Sequence, residues 1–129
     1  MDEYYRAVRA LPTWLAAPLA QLPAQTVVHI QELRLRTDCA VTFTVQGRQC
    51  SASALPGCPP ALVAMRLDAL QIEEIFHTLC NGSVHTHERE LSEGYLTTAA
   101  GNRVGLARQF VQREGQFITL QKVTSHKLR

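Results

Sequence analysis

The densest group of side chains able to hold a metal ion is His77, Cys80, His85 and His87. His77 and Cys80 stand about one helical turn apart and a His-x-His follows, so nitrogen and sulfur donors are present in the number a tetrahedral zinc ion takes. The spacing points elsewhere. Structural zinc sites pair two short knuckles across a long gap, whereas these four residues crowd into positions 77–87 with a helix end between them. The reading adopted is structural, with Cys80 in the core, the histidines on the surface and no resident metal. A free-standing metal- or ligand-binding module is the alternative.

Carboxylates occur in two close pairs, Glu73 with Glu74 and Glu88 with Glu90. Both fall where a solvated helix face would put them, and nothing around them promises the raised pKa that general acid catalysis needs. Arginine offers a different chemistry. Arg34 and Arg36 alternate along one face of an expected strand, and Arg103 opens another strand directly after a Gly101-Asn102 turn. Forked guanidinium groups held on such a scaffold can engage phosphate or carboxylate bidentately; the plainer reading is cross-strand pairing with a residue such as Glu32. The sequence holds no Gly-x-x-x-x-Gly-Lys-Ser/Thr phosphate loop, no Gly-x-Ser-x-Gly elbow and no His-Glu-x-x-His helix. Catalytic residues are therefore not expected.

The elements that must position these groups follow from hydrophobic period. Tyr5, Val8, Leu11, Trp14, Leu15, Leu19 and Leu22 recur at helical spacing over residues 2–22, with Pro12 dividing them into two short helices and Pro23 closing the segment. From Ile30 the period becomes two. Leu33 and Leu35 alternate with Glu32, Arg34 and Arg36, and after the polar break Thr37-Asp38 a second strand covers residues 41–45, turning at Gln46-Gly47 into a hairpin. Residues 51–60 carry three prolines and a glycine and read as a loop. Asp68 is placed to cap a helix with the stripe Ile72, Ile75, Phe76 and Leu79, ended by Asn81-Gly82. Ser83 caps a second helix through Leu91, with Gly94 after its end. Strands over 95–99, 104–111 and 116–123 form an antiparallel meander with turns at Gly101-Asn102 and Glu114-Gly115. Arg108 shares parity with Val104, Leu106 and Phe110, so either a bulge re-aims it or its stem snorkels to the sheet edge.

This order of elements predicts an α+β fold, short helices packed on one face of a mainly antiparallel sheet. At 129 residues, with 46% hydrophobic and 19% charged residues, the chain is sized for one domain, with a helical segment over 1–23 and an α+β body over 24–129. Cys39, Cys50, Cys58 and Cys80 are widely spaced and the start lacks a secretory h-region, so reduced thiols are expected, with a Cys50–Cys58 disulfide as the alternative. No stretch approaches the length of a membrane span. Net charge is +2, but its distribution is uneven: residues 65–94 hold six acidic side chains against two basic, and residues 95–129 hold six basic against one acidic. Aromatics are only 6% of the chain, and Tyr95, Phe110 and Phe117 are expected mostly at core positions, so nucleic acid is not an expected partner.

Three segments carry a family resemblance. Glu32-Leu33-Arg34-Leu35-Arg36, then Gly94-Tyr95-Leu96-Thr97 with Gly101-Asn102-Arg103-Val104-Gly105-Leu106-Ala107, and finally Ser125-His126-Lys127-Leu128-Arg129 resemble, in order and spacing, the stage III sporulation protein AA family. The second segment, with Gly94, Tyr95, Gly101 and Gly105 at its turns, is the most specific. The chain departs from the family where Asp38 and Ala40 replace a glycine and a proline, where Arg108 replaces a glycine, where Asn102 replaces a histidine, and where His85 and His87 replace aromatic residues. The resemblance implies an N-terminal domain that precedes a RecA-like traffic ATPase domain related to secretion ATPases, working between mother cell and forespore. It implies that this chain ends just before that domain, that ATP and magnesium belong to the missing domain and no cofactor to this one, and that the location is the mother-cell cytoplasm, peripheral to the membrane. Implied partners are its own ATPase domain, neighbouring subunits and sporulation membrane-channel proteins. The implied contact residues are Arg34, Arg36, Arg103 and Arg129.

Overall fold

The computed structural model describes residues 2–80, 95–97, 103–111 and 115–121. Helices α1 (Asp2–Arg9) and α2 (Thr13–Ala20) form the N-terminal pair, with Pro12 at the N-cap position between them. Pro12 thus stands just before the second helix, where its fixed φ and missing N–H cost nothing. The inward stripe runs through Tyr4, Val8, Leu11, Leu15, Leu19 and Leu22, all buried; Tyr5 and Trp14, expected on it, are half-buried at its margin. Tyr4 rather than Tyr5 is the interior phenol, and its hydroxyl donates to the Leu19 carbonyl at 2.9 Å. Burial pushes the Tyr4 pKa well above the ordinary tyrosine range. A further single turn, α3 (Ala24–Val27), buries Thr26 and Val27, and Thr26 Oγ1 donates to the Pro56 carbonyl at 2.8 Å.

Strand β1 (Ile30–Arg36) shows the expected alternation, with Leu33 and Leu35 buried. A register shift between Ile30 and Glu32 lets Ile30, of opposite parity, also face the core. The second strand forms as Thr42–Val45 (β3) and pairs with β1, while Cys39–Ala40 (β2), just before it, pairs instead with β5 (Arg66–Leu67). The cause is Asp38, whose φ of +62° turns the chain sharply. Aspartate is among the few non-glycine residues that tolerate the left-handed region.

The hairpin from β3 to β4 (Arg48–Ser51) forms as expected; Gln46 and Gly47 both have positive φ, as a type I′ turn requires. Residues 52–60 are irregular apart from a 3-10 turn over Ala52–Ala54, and Pro60 starts the one-turn helix α4 (Pro60–Val63), where proline at the first position is well tolerated. Helix α5 (Ala69–Leu79) begins in a capping box: Gln71 N donates to Asp68 Oδ1 at 2.8 Å and Asp68 N donates to Gln71 Oε1 at 2.9 Å. Its stripe Ile72, Ile75, Phe76 and Leu79 is buried as expected. The Asn81-Gly82 cap and the helix over 83–91 lie outside the described residues.

Strands β6 (Tyr95–Thr97), β7 (Arg103–Val111) and β8 (Gly115–Gln121) form the expected antiparallel meander. Strand β8 also pairs antiparallel with β1, so the six-stranded sheet has the order β4-β3-β1-β8-β7-β6. Residue 108 pairs with Ile118 in an unbroken register with β8, and no bulge interrupts it. Leu33, Leu35, Phe43 and Ile118 lie on one face of this sheet and join α1, α2 and α5 in the core. Helices on one face of a mainly antiparallel sheet give an α+β fold. No helix among the described residues is long and apolar enough to cross a membrane.

Candidate functional site

The arginines singled out by spacing sit on the sheet face opposite the core. Because side chains alternate with period two, Glu32, Arg34 and Arg36 of β1 point away from the buried Leu33 and Leu35. Arg36 is exposed, and Glu32 and Arg34 are half-buried. Neighbouring positions on this face are Thr42 and Thr44 of β3, opposite Arg34 and Glu32, and Thr44 Oγ1 donates to Glu32 Oε1 at 3.0 Å. Glu32, Arg34 and Arg36 each engage a further partner within the chain. A guanidinium carries five N–H donors, so such a contact does not exhaust it.

Register extends this face across the sheet. Arg34 pairs with Thr119 and Arg36 with Phe117 in β8, and these pair in turn with Ala107 and Gln109 in β7. Arg103 lies an even number of residues from Ala107, which puts it at a position on the same face, paired with Thr97 in β6. Residues 34 and 36 are about 7 Å apart, while 34 and 103 are roughly 16 Å apart, given two strand spacings across and four residues along. The first two can therefore converge on one anionic group, and the third extends the line into a strip across the sheet. Arg129 lies outside the described residues, as do Gly94 and Gly101; Tyr95 and Gly105 pair with each other at the β6–β7 ladder.

The soft-ligand group is not drawn together where it can be followed. His77 is exposed on α5, whereas Cys80 is fully buried at the helix end, so the two face opposite environments. His85 and His87 lie outside the described residues. Among the described residues, no three His, Cys, Asp or Glu side chains form a group able to hold a metal ion. All four cysteines are free thiols, and burial raises the pKa of Cys50 and Cys58.

Two features escaped sequence reading. Between α1 and α2 runs an open groove of about 480 Å³, walled by Tyr5, Val8, Arg9, Ala16, Ala17 and Ala20 among others. Three alanines on the outer side of α2 are its only sequence signal. On α5, Leu70 is 80% exposed, in line with Glu73, Glu74 and His77 and opposite the buried stripe. A leucine off the stripe was visible in the spacing.

No family model matches the chain. Structures of the ATPase DotB show a distant likeness: that of Legionella pneumophila gives a TM-score of 0.46 at 13% identity, covering 76% of this chain and 26% of that one. The Yersinia pseudotuberculosis ATPase DotB gives 0.42 at 16% identity, covering 76% and 27%. Among curated proteins, the relative matched is Stage III sporulation protein AA of Bacillus subtilis (strain 168), and the chain spans about a third of its length, 35%. The resemblance carried by the three short segments is thereby extended, for this chain is 29% identical to that sporulation protein over 119 residues, 92% of its own length.

Proposed function

We propose that this chain is a non-catalytic accessory and assembly domain of a sporulation-associated traffic ATPase that works at a mother cell–forespore channel. The observation that carries this reading is the match to Stage III sporulation protein AA along nearly the whole chain. In this reading the chain acts in the mother-cell cytoplasm, at the membrane periphery. It carries no nucleotide itself; ATP and magnesium are bound by an ATPase domain of the longer protein, and the partners are that domain, neighbouring subunits and channel proteins. Residues 1–129 act as one domain.

The strip of Arg34, Arg36 and Arg103 is the proposed contact surface, with Arg129 as a fourth member. Register supports this for Arg34, Arg36 and Arg103, whose positions fall on the face that the core does not use, where an acidic or phosphate-bearing neighbour can be engaged without disturbing the fold. Two experiments test the reading. The gene beyond the codon for Arg129 should encode an in-frame Gly-x-x-x-x-Gly-Lys-Ser/Thr; a stop codon or an unrelated domain would refute it. In that longer protein, alanine at Arg34, Arg36 and Arg103 should reduce ATP turnover or ring formation, and wild-type values of both would remove the arginines from the contact surface.

A further inference from the structure

Two surface features on different helices each join an apolar patch to charges, and the charges are of opposite sign. The ridge is on α5: Leu70, Glu73, Glu74 and His77 fall at i, i+3, i+4 and i+7, one narrow stripe on the side away from the core. Leu70 is 80% exposed and is by far the most exposed large hydrophobic among the described residues. Two glutamates stand beside it. The receptor is the groove between α1 and α2, where Ala16, Ala17 and Ala20 keep the α2 side shallow, half-buried Tyr5 supplies the apolar α1 side, and the buried Val8 and Leu11 lie beneath. Arg9 lines that groove and Arg6 is exposed on the same helix, both in its last turn. Neither Arg9 nor the two glutamates has a polar partner among the described residues.

We infer that the α1/α2 groove receives the α5 ridge of a second copy of this chain, with Leu70 seated on the alanines and Glu73 and Glu74 facing Arg9 and Arg6. The occupant is a second copy because the chain itself carries the matching piece: an exposed leucine flanked by acids for an apolar groove flanked by arginines. A small-molecule ligand fits less well, since the groove is open and its walls converge few polar groups. Ridge and groove are different patches, so the contact is heterologous and repeats head to tail, closing into a ring or continuing as a filament. Burial of Leu70 supplies the affinity, and the rim charges set orientation. This contact is separate from the arginine strip on the sheet and does not depend on the ATPase reading.

Sedimentation equilibrium of the whole chain over a concentration series tests it. The wild-type chain should show reversible mass increase at high concentration, weakened by added salt. Leu70→Ser, at an exposed position that leaves the fold intact, should raise the dissociation constant about tenfold or more, the order expected for withdrawing a leucine from an apolar contact. Arg9→Glu and the pair Glu73→Arg with Glu74→Arg should each weaken association, and mixing the two charge-reversed proteins should restore it. A wild-type chain that stays monomeric at about 1 mM overturns the inference. So does association that Leu70→Ser leaves unchanged, or charge-reversed partners that fail to rescue each other.

Discussion

Leu33 and Arg34 are neighbours in β1, yet the first is sealed beneath the helices and the second belongs to a face on which no described residue of β1 or β3 is fully buried. The same division runs across the sheet: Leu35, Phe43 and Ile118 on one side, Glu32, Arg36, Thr42 and Thr44 on the other. A period-two strand thus writes stability and recognition into alternate residues of one segment. The Glu-Leu-Arg-Leu-Arg segment is both the middle of the core and the proposed contact surface, and the two roles can be mutated separately.

Adjacent residues of β3 give the sharpest way to break that comparison. Phe43 is fully buried, so Phe43→Ala should cost about 3–5 kcal/mol, a large part of the roughly 5–15 kcal/mol that holds such a domain together. Thr44→Ala, one residue on and facing the other way, loses only the hydrogen bond to Glu32 and should cost about 1 kcal/mol or less. Urea denaturation of both variants checks this. Similar losses at the two sites would mean that the fold depends on its outer face no less than on its inner one.

The core side depends on a close approach in the loop as well as on strands. Gly57 has a φ of +76°, and a Cβ there would lie 2.4 Å from Pro23 Cγ and 2.8 Å from Pro23 Cδ. Gly57→Ala therefore meets both a left-handed backbone and the proline ring that begins α3, and should cost about 2 kcal/mol or more in thermal unfolding. By contrast Gly47, also at positive φ, has nothing within 4 Å of such a Cβ. The same substitution at Gly47 should carry the backbone cost alone, about 1–2 kcal/mol.

Much of this architecture was legible in the sequence because its signals are local. Capping of α5 needs only Asp68 and Gln71, the hairpin needs Gln46-Gly47, and β1 announces itself by alternation. What stayed hidden depends on distant partners or on segments too short for a period to register. Helix α3 is a single turn, held by Thr26 reaching Pro56 rather than by propensity. The β2–β5 ladder joins two residues to two others across more than twenty positions. Pro60 read as loop chemistry, although proline equally begins a helix. For the candidate site, strand parity placed Arg34 and Arg36 correctly on the open face, but their relation to Arg103 needed the β1–β8–β7 register, which no local pattern encodes.

Tyr4 tests the helix side of the core by pH. Its folded pKa lies above the unfolded value of about 10 because burial disfavours the phenolate, and the hydroxyl donates to Leu19. A group whose pKa is raised on folding stabilises fully below its unfolded pKa. That stability is lost as the pH rises from about 10 toward the folded value, with a slope of up to about 1.4 kcal/mol per pH unit. Stability measured by urea unfolding should accordingly fall above pH 10. In Tyr4→Phe the fall should be shallower, while the neutral-pH stability drops by about 1 kcal/mol for the lost hydrogen bond.

The smallest effect concerns what keeps the two faces apart. A slip of one residue between β3 and β4 would carry Phe43 and Cys50 out of step and exchange the inner and outer sets, and turn geometry is what opposes that slip. Gln46 has a φ of +53° without the short polar side chain that eases this region in asparagine. Gln46→Asn should therefore raise stability by about 0.5 kcal/mol, read as a higher denaturation midpoint at unchanged slope. Because the residue is exposed, a gain there reports on the turn that holds the register. No gain would mean that Gly47, with the Gln31 Oε1 contact to its N–H at 2.7 Å, already fixes the turn by itself.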